Sequence, residues 1–131
     1  MTPAARTDAF FPGRAPIDAY GNGGFRFAEM SHRGSLLILP SGIYGWAAED
    51  MAELSAASFA PLFAERDAID FVLLGTGAAQ AWPTPALRQT FADNHLVVEC
   101  MDTGAAVRTY NVLLAESRIV AAALLAVDLP R

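Results

Sequence analysis

The chain has 131 residues, 53% of them hydrophobic and only 18% charged, with a net charge of −5 and one cysteine. That length fits one domain, which buries roughly two thirds of the surface its unfolded form would expose. The nine basic residues are all arginine and form no run, which excludes nucleic acid as a partner because counterion release needs clustered cations.

Residues 1–24 are rich in Pro, Gly and small residues, with Phe10, Phe11, Ile17 and Tyr20 as scattered apolar anchors. They read as an extended N-terminal arm over residues 1–20 that runs into the turn GNGG, ahead of a single α/β domain over residues 21–131. The arm has no long apolar core, so it is expected to be neither a secretory signal nor a spanning helix. FRFAEMSH alternates in the manner of a strand and RGSLLILP follows it, so the two are expected to pair as an N-terminal β-hairpin turning at about residues 31–34. SGIYGWAAEDM, with glycines on both sides of Ile43 and Tyr44, allows a short strand or an irregular corner.

SFAPLFAERDA spaces Phe59, Leu62, Phe63 and Arg66 at three and four positions, predicting a short helix with Ser58 as cap and Pro61 in its first turn. IDFVLLGTGAAQ has the continuous apolar character of a strand covered on both faces. TPALRQTFADNH is expected to be helical behind Thr84 and Pro85, LVVECM a buried strand, DTGAAVRTYNVLLAES a helix, and RIVAAALLAV the last strand. The run IVAAALLAV, nine residues long, suits a buried strand better than a membrane span. Helices alternating with strands in this way build a mostly parallel sheet, and the leading hairpin makes it mixed. The expected fold is α/β, in three layers, with a mixed central sheet and helices on its faces.

Ligands in such sheets favour the carboxyl ends of strands. Two of these ends carry polar residues: Gly75, Thr76 and Gly77 in one loop, Asp102 and Thr103 in the other. The first could hold an anion on backbone N–H groups or be a tight turn required by packing; it lacks the third glycine of a dinucleotide fingerprint and the lysine of a P-loop. Further along the helix that opens at MDTGAA, Arg108 and Asn111 lie three apart on a face otherwise made of small residues, close to Thr109 and Glu116. One reading has Arg108 paired with Asp102 or Glu116 and Asn111 bonded to neighbouring backbone, fastening the helix to the sheet. The other has Asp102, Arg108, Thr109 and Asn111 receiving a carboxylate, phosphate or peptide group from outside.

Catalysis is poorly supported. His32 and His95 fall at connections, no nucleophile elbow is present, and a nearby arginine would oppose the raised pKa that Asp102 needs to act as a base. Cys100 ends an apolar strand and reads as a small buried hydrophobe. A lone cysteine also excludes a disulfide framework and a multi-thiolate zinc site, and suits a reducing cytosol. No metal and no cofactor are expected.

The segments GNGGFRF, GSLLILPSGIYGW, VLLGTG and, most specifically, MDTGAAVRTYNVLLAESRIVAAAL resemble a family of small proteins of unknown function. That family includes the mitochondrial respiratory complex I assembly factor 3 and an adipogenesis-associated mammalian relative, and the resemblance runs over residues 21–125. It implies a three-layer α/β fold and a shared polar corner, which here comprises Gly75, Thr76, Gly77, Met101, Asp102, Thr103, Arg108, Thr109, Tyr110, Asn111 and Glu116. It implies no reaction.

The expected function is a non-enzymatic assembly or interaction factor, with biogenesis of respiratory complex I, the NADH:quinone oxidoreductase, as its setting. Its partner is expected to be a protein, either a membrane respiratory subunit or another assembly factor, and the lightly charged surface also allows a homo-oligomer. The expected place is the bacterial cytoplasm, at the periphery of the inner membrane. The alternative is a small-molecule-binding protein or enzyme using a pocket at Asp102, Arg108 and Asn111.

Overall fold

A computed structural model describes residues 10–128 of the chain. Nine strands occur there: β1 (Phe10–Pro12), β2 (Ile17–Gly21), β3 (Gly24–Phe27), β4 (Met30–Arg33), β5 (Ser35–Leu39), β6 (Gly42–Trp46), β7 (Val72–Gly75), β8 (Val98–Met101) and β9 (Ala121–Leu124). The α-helices are α1 (Ala60–Ala64), α2 (Pro85–Asp93) and α3 (Thr103–Ala115). Six strands form one mixed sheet in the order β1-β6-β5-β9-β7-β8, and β2-β3-β4 form a second, antiparallel sheet. β7 is parallel to both β8 and β9, whereas β9 meets β5 antiparallel and so joins the two halves of the large sheet.

The period of two along each strand divides the core between the two faces. Leu37, Leu39, Val72, Leu74, Ala121 and Ala123 face α1 and α2, where Phe59, Leu62, Leu87 and Phe91 cover them. Leu36, Ile38, Leu73, Ala122 and Leu124 face the other way, under Ala106, Val107 and Tyr110 of α3 and under Ile17, Phe25 and Phe27 of the small sheet. The three layers are therefore α1 and α2, then the six-stranded sheet, then α3 beside the three-stranded sheet. The small side chains of β9, all fully buried, let covering elements approach the middle of the sheet from both sides.

Both long helices begin where their residues predict. The Thr84 side chain accepts from the Leu87 N–H, with Pro85 at the first helical position, and Asp102 accepts from the Ala105 N–H at the start of α3. Each cap satisfies an amide that has no partner inside the helix.

The hairpin differs from expectation in position. β3 turns into β4 at Ala28 and Glu29, and β4 belongs to the small sheet. Residues 31–34 are strand and a sheet-to-sheet step at Gly34, whereas β5 pairs with β6 across Pro40 and Ser41. Within SGIYGW, the segment GIYGW is a regular, buried strand, because it is flanked by β1 and β5 and covered on both faces. The first helix is broken into a 3-10 turn at Ala56–Phe59 and the short α1, with Ser55 in place of Ser58 at the N-terminal cap. β8 is an edge strand with alternating exposure, not one buried on both faces. Of the arm expected over residues 1–20, residues 1–9 lie outside the described residues, 10–12 pair with β6, and 17–20 belong to β2.

Candidate functional site

β7 and β8 are neighbours whose following helices lie on opposite faces of the sheet, so their carboxyl ends form a switch point of the kind that often receives ligands. Gly75, Thr76 and Gly77 meet Met101, Asp102 and Thr103 there. Their polar groups bond chiefly to one another. Thr76 N donates to Met101 O at 2.9 Å and Thr103 N to Gly77 O at 2.9 Å. The fully buried Thr103 hydroxyl donates to Leu125 O at 2.7 Å and accepts from Gly77 N at 3.0 Å. Thr76 Oγ1 donates to Ala79 O at 2.7 Å and accepts from Ala81 N at 3.1 Å. A hydroxyl has one proton to give, so both threonines use their donor inside the turn.

Gly75 suits this closeness: a Cβ there would lie 3.1 Å from Thr103 Cα and Oγ1, tighter than ordinary contact. The turn thus ties β7, β8 and the end of β9 together. Beside it opens a groove of about 540 Å³, floored by Thr76, Gly77 and Leu125 and walled by Glu49, Asp50 and Asp128.

α3 carries the rest of the expected corner, and its length separates the members. At about 1.5 Å per residue, Glu116, the C-cap of α3, stands roughly 20 Å from Asp102. Asn111 accepts from Ile17 N at 2.9 Å and donates to Ile17 O at 2.9 Å, pairing with that residue's backbone as a strand would. Tyr110, wholly buried, donates to Ala15 O at 2.8 Å, and burial pushes its phenol up to about 12. Arg14 Nη1 donates to Arg118 O at 2.9 Å. These contacts clasp residues 14–17 onto the helix. Thr109 turns the other way, its hydroxyl 3.6 Å from Met101 Sδ, and Arg108 is exposed. The expected niche therefore divides into the turn, the clasp and an outer flank.

His32 lies within β4, its Nε2 3.2 Å from Ser35 O, and His95 is exposed after α2. Burial raises the Cys100 thiol above its ordinary value, with Arg88 opposing. No cluster of His, Cys, Asp and Glu among the described residues could hold a metal.

Large apolar side chains are also exposed, some of them at the amino end of the parallel strands beside the Arg118–Asp70 ion pair. The large hydrophobic residues exposed among those described are Trp82 (66%), Val97 (62%), Val112 (58%) and Ile119 (41%). Val97 and Ile119 lie at the amino end of the parallel strands, where Val72 N donates to Val97 O and Asp70 N to Ile119 O, with half-buried Phe71 between. Val112 is on the C-terminal half of α3, three residues from Thr109 and so on the flank that looks toward β8. The sequence carried one signal of this patch: Val112 falls midway between Arg108 and Glu116, at helical spacing on the polar side of α3.

Among similar proteins, an uncharacterized protein of Rhodobacter capsulatus is 40% identical over 116 residues, covering 88% of this chain and 87% of its own. The NADH dehydrogenase (ubiquinone) 1 alpha subcomplex assembly factor 3 of Mus musculus is 29% identical over 115 residues; the match covers 88% of this chain but 62% of the mouse protein. A crystal structure described as an outer membrane protein from Bartonella henselae superposes with a TM-score of 0.84 at 52% identity, covering 90% of this chain and 99% of that one. With a family profile matching residues 17–125, the chain belongs to the family described as protein of unknown function DUF498/DUF598.

Proposed function

We propose that the protein is a non-enzymatic interaction factor that docks a protein partner on the apolar amino end of its parallel strands. The observation that carries this reading is the exposure of Val97, Val112 and Ile119 there, since large apolar side chains grouped at one end of a small domain mark contact surfaces. The engagement of the Thr76 and Thr103 hydroxyls within their own turn supports binding over catalysis. In this reading Gly75, Thr76, Gly77, Asp102, Thr103 and Asn111 hold the frame. Arg108, Thr109 and Glu116 rim the patch, where polar side chains set orientation more than affinity.

The name of the mouse relative supplies the setting: assembly of a respiratory NADH:quinone oxidoreductase, with its subunits or other assembly factors as partners. The proposed station is the cytoplasmic periphery of the inner membrane; no helix among the described residues is long and apolar enough to cross a membrane. The test is affinity capture with tagged wild type, Val112→Asp and Arg108→Glu, followed by mass spectrometry of membrane and soluble fractions. Oxidoreductase subunits should accompany the wild type, be lost with Val112→Asp and be reduced with Arg108→Glu. Equal recovery by all three sinks the proposed surface. A wild type that captures no protein but retains a small molecule would move the function to the groove beside Thr76.

A further inference from the structure

The small sheet has two unlike faces. Ile17, Phe25 and Phe27 point into the core. The strand register places Ala19, Arg26 and Ser31 in one outward row and Gly21, Gly24 and Arg33 in the next. Four of those six are Gly, Ala or Ser, so the two arginine side chains rise from a low floor. They line a depression of about 390 Å³ that also reaches the inward row of Tyr20, Phe25 and His32, and no carboxylate lines it among the described residues.

This is the reverse of the molecule's average, since acidic residues outnumber basic ones by 14 to 9. Both arginines are exposed, and the ion pair of Arg118 with Asp70 lies elsewhere in the fold. Arg33 and Asp128 both approach Gly23 without closing a pair. Two guanidinium forks thus stand on one face as donors.

We infer that the outer face of the β2-β3-β4 sheet docks an acidic, extended segment of a protein partner, with two of its carboxylates received by Arg26 and Arg33. The spacing supports this occupant. Diagonal neighbours on adjacent strands stand about 7–8 Å apart. Alternate residues of an extended chain are separated by about 7 Å and point to the same side, so acidic residues two apart reach both arginines. An anionic membrane is disfavoured by number, because lipid-binding basic clusters carry about four to eight cations and this face has two on a protein of net charge −5. The inference deepens the reading of the protein as an interaction factor and rests on it, while using a face other than the apolar end.

The experiment titrates purified full-length protein into a labelled synthetic peptide alternating aspartate with valine, with an asparagine–valine peptide as control. Phosphatidylglycerol vesicles and inorganic phosphate are assayed in parallel. The acidic peptide should bind, the asparagine peptide should not, added salt should weaken binding, and Arg26→Gln with Arg33→Gln should cost about tenfold or more in affinity. Both positions are exposed, and an unchanged circular dichroism spectrum shows that the double variant folds. The inference is overturned if the acidic peptide fails to bind, if the double variant binds it equally, or if vesicles or phosphate bind through these arginines and the peptide does not. Capture of oxidoreductase subunits by wild type and the arginine variant alike, with no peptide binding, defeats this face and leaves the apolar-end reading standing. Peptide binding through both arginines, with no subunit captured by wild type, defeats the respiratory setting and sustains this face.

Discussion

Between β7 and β9 each strand passes to a helix that packs back on the same sheet, so the parallel half is built from residues close in sequence. The antiparallel strands pair in local hairpins but are fastened to the rest of the fold by partners far away. Ala15 and Ile17 are fastened by Tyr110 and Asn111, Asn22 and Gly23 donate to Asp128 O and Val127 O, and β5 depends on β9. Loop closure over such separations costs conformational entropy that only the finished fold repays. The difference teaches that the polar residues of α3 do different work at its two ends: Asp102 caps its own helix and Thr103 joins the ends of β7 and β9, whereas Tyr110 and Asn111 attach a segment 95 and 94 residues away.

The largest expected effect erases the comparison. Phe59 packs tilted against Trp46 of the antiparallel half, with ring centroids 5.4 Å apart, and edge-to-face against Phe91 of α2 at 5.0 Å. Phe59→Ala should therefore cost about 3–5 kcal/mol in urea unfolding and loosen both halves together. A loss under about 1 kcal/mol would mean that they do not share this core.

Alkaline titration comes next. Burial lifts the Tyr110 phenol from near 10 to about 12, so the unfolded chain loses that proton first. The associated stability is present below pH 10 and falls by roughly 2–3 kcal/mol as the pH rises toward 12. Tyr110→Phe should flatten that decline; an unchanged slope would assign it to other groups.

Asn111→Ala leaves the Ile17 N–H and C=O without their partner, at about 1–3 kcal/mol. Hydrogen exchange should show faster amides in β2 and β3 with β7 still protected, and uniform acceleration would contradict separate fastening. The smallest effect is a gain. Ala28 and Glu29 hold positive φ of 50° and 63° in the β3-β4 turn, a conformation that Asn-Gly adopts more readily. Ala28→Asn with Glu29→Gly should add on the order of 1 kcal/mol by relieving the left-handed strain, read as a higher unfolding midpoint with peptide binding retained.

The same turn shows why the hairpin was misplaced by sequence reading. Neither Ala28 nor Glu29 is a turn former, whereas Ser31 and Gly34 are, and local chemistry points to the wrong break. β8 was misjudged for a related reason: Val97, Val98 and Cys100 are apolar whether a strand is central or at the edge, and strand order decides which. In the candidate corner, the proximity of Gly75, Thr76 and Gly77 to Asp102 and Thr103 was legible because both loops follow parallel strands. Asn111 stood out as a polar residue needing a partner, but Ile17, 94 residues away, carries no mark of being that partner.

By itself the sequence determined the βαβ alternation from Val72 onward, the cap at Thr84, a cap at either Asp102 or Thr103, and the acidic, lightly charged character of the chain. These follow from periodicity and composition, which act within a few residues. Tertiary structure alone decided that β9 joins the two halves, that the corner separates into a turn, a clasp and an outer flank, and that Arg26 and Arg33 share an open face. Those outcomes depend on strand order and register, and register is set by which distant faces must be buried together.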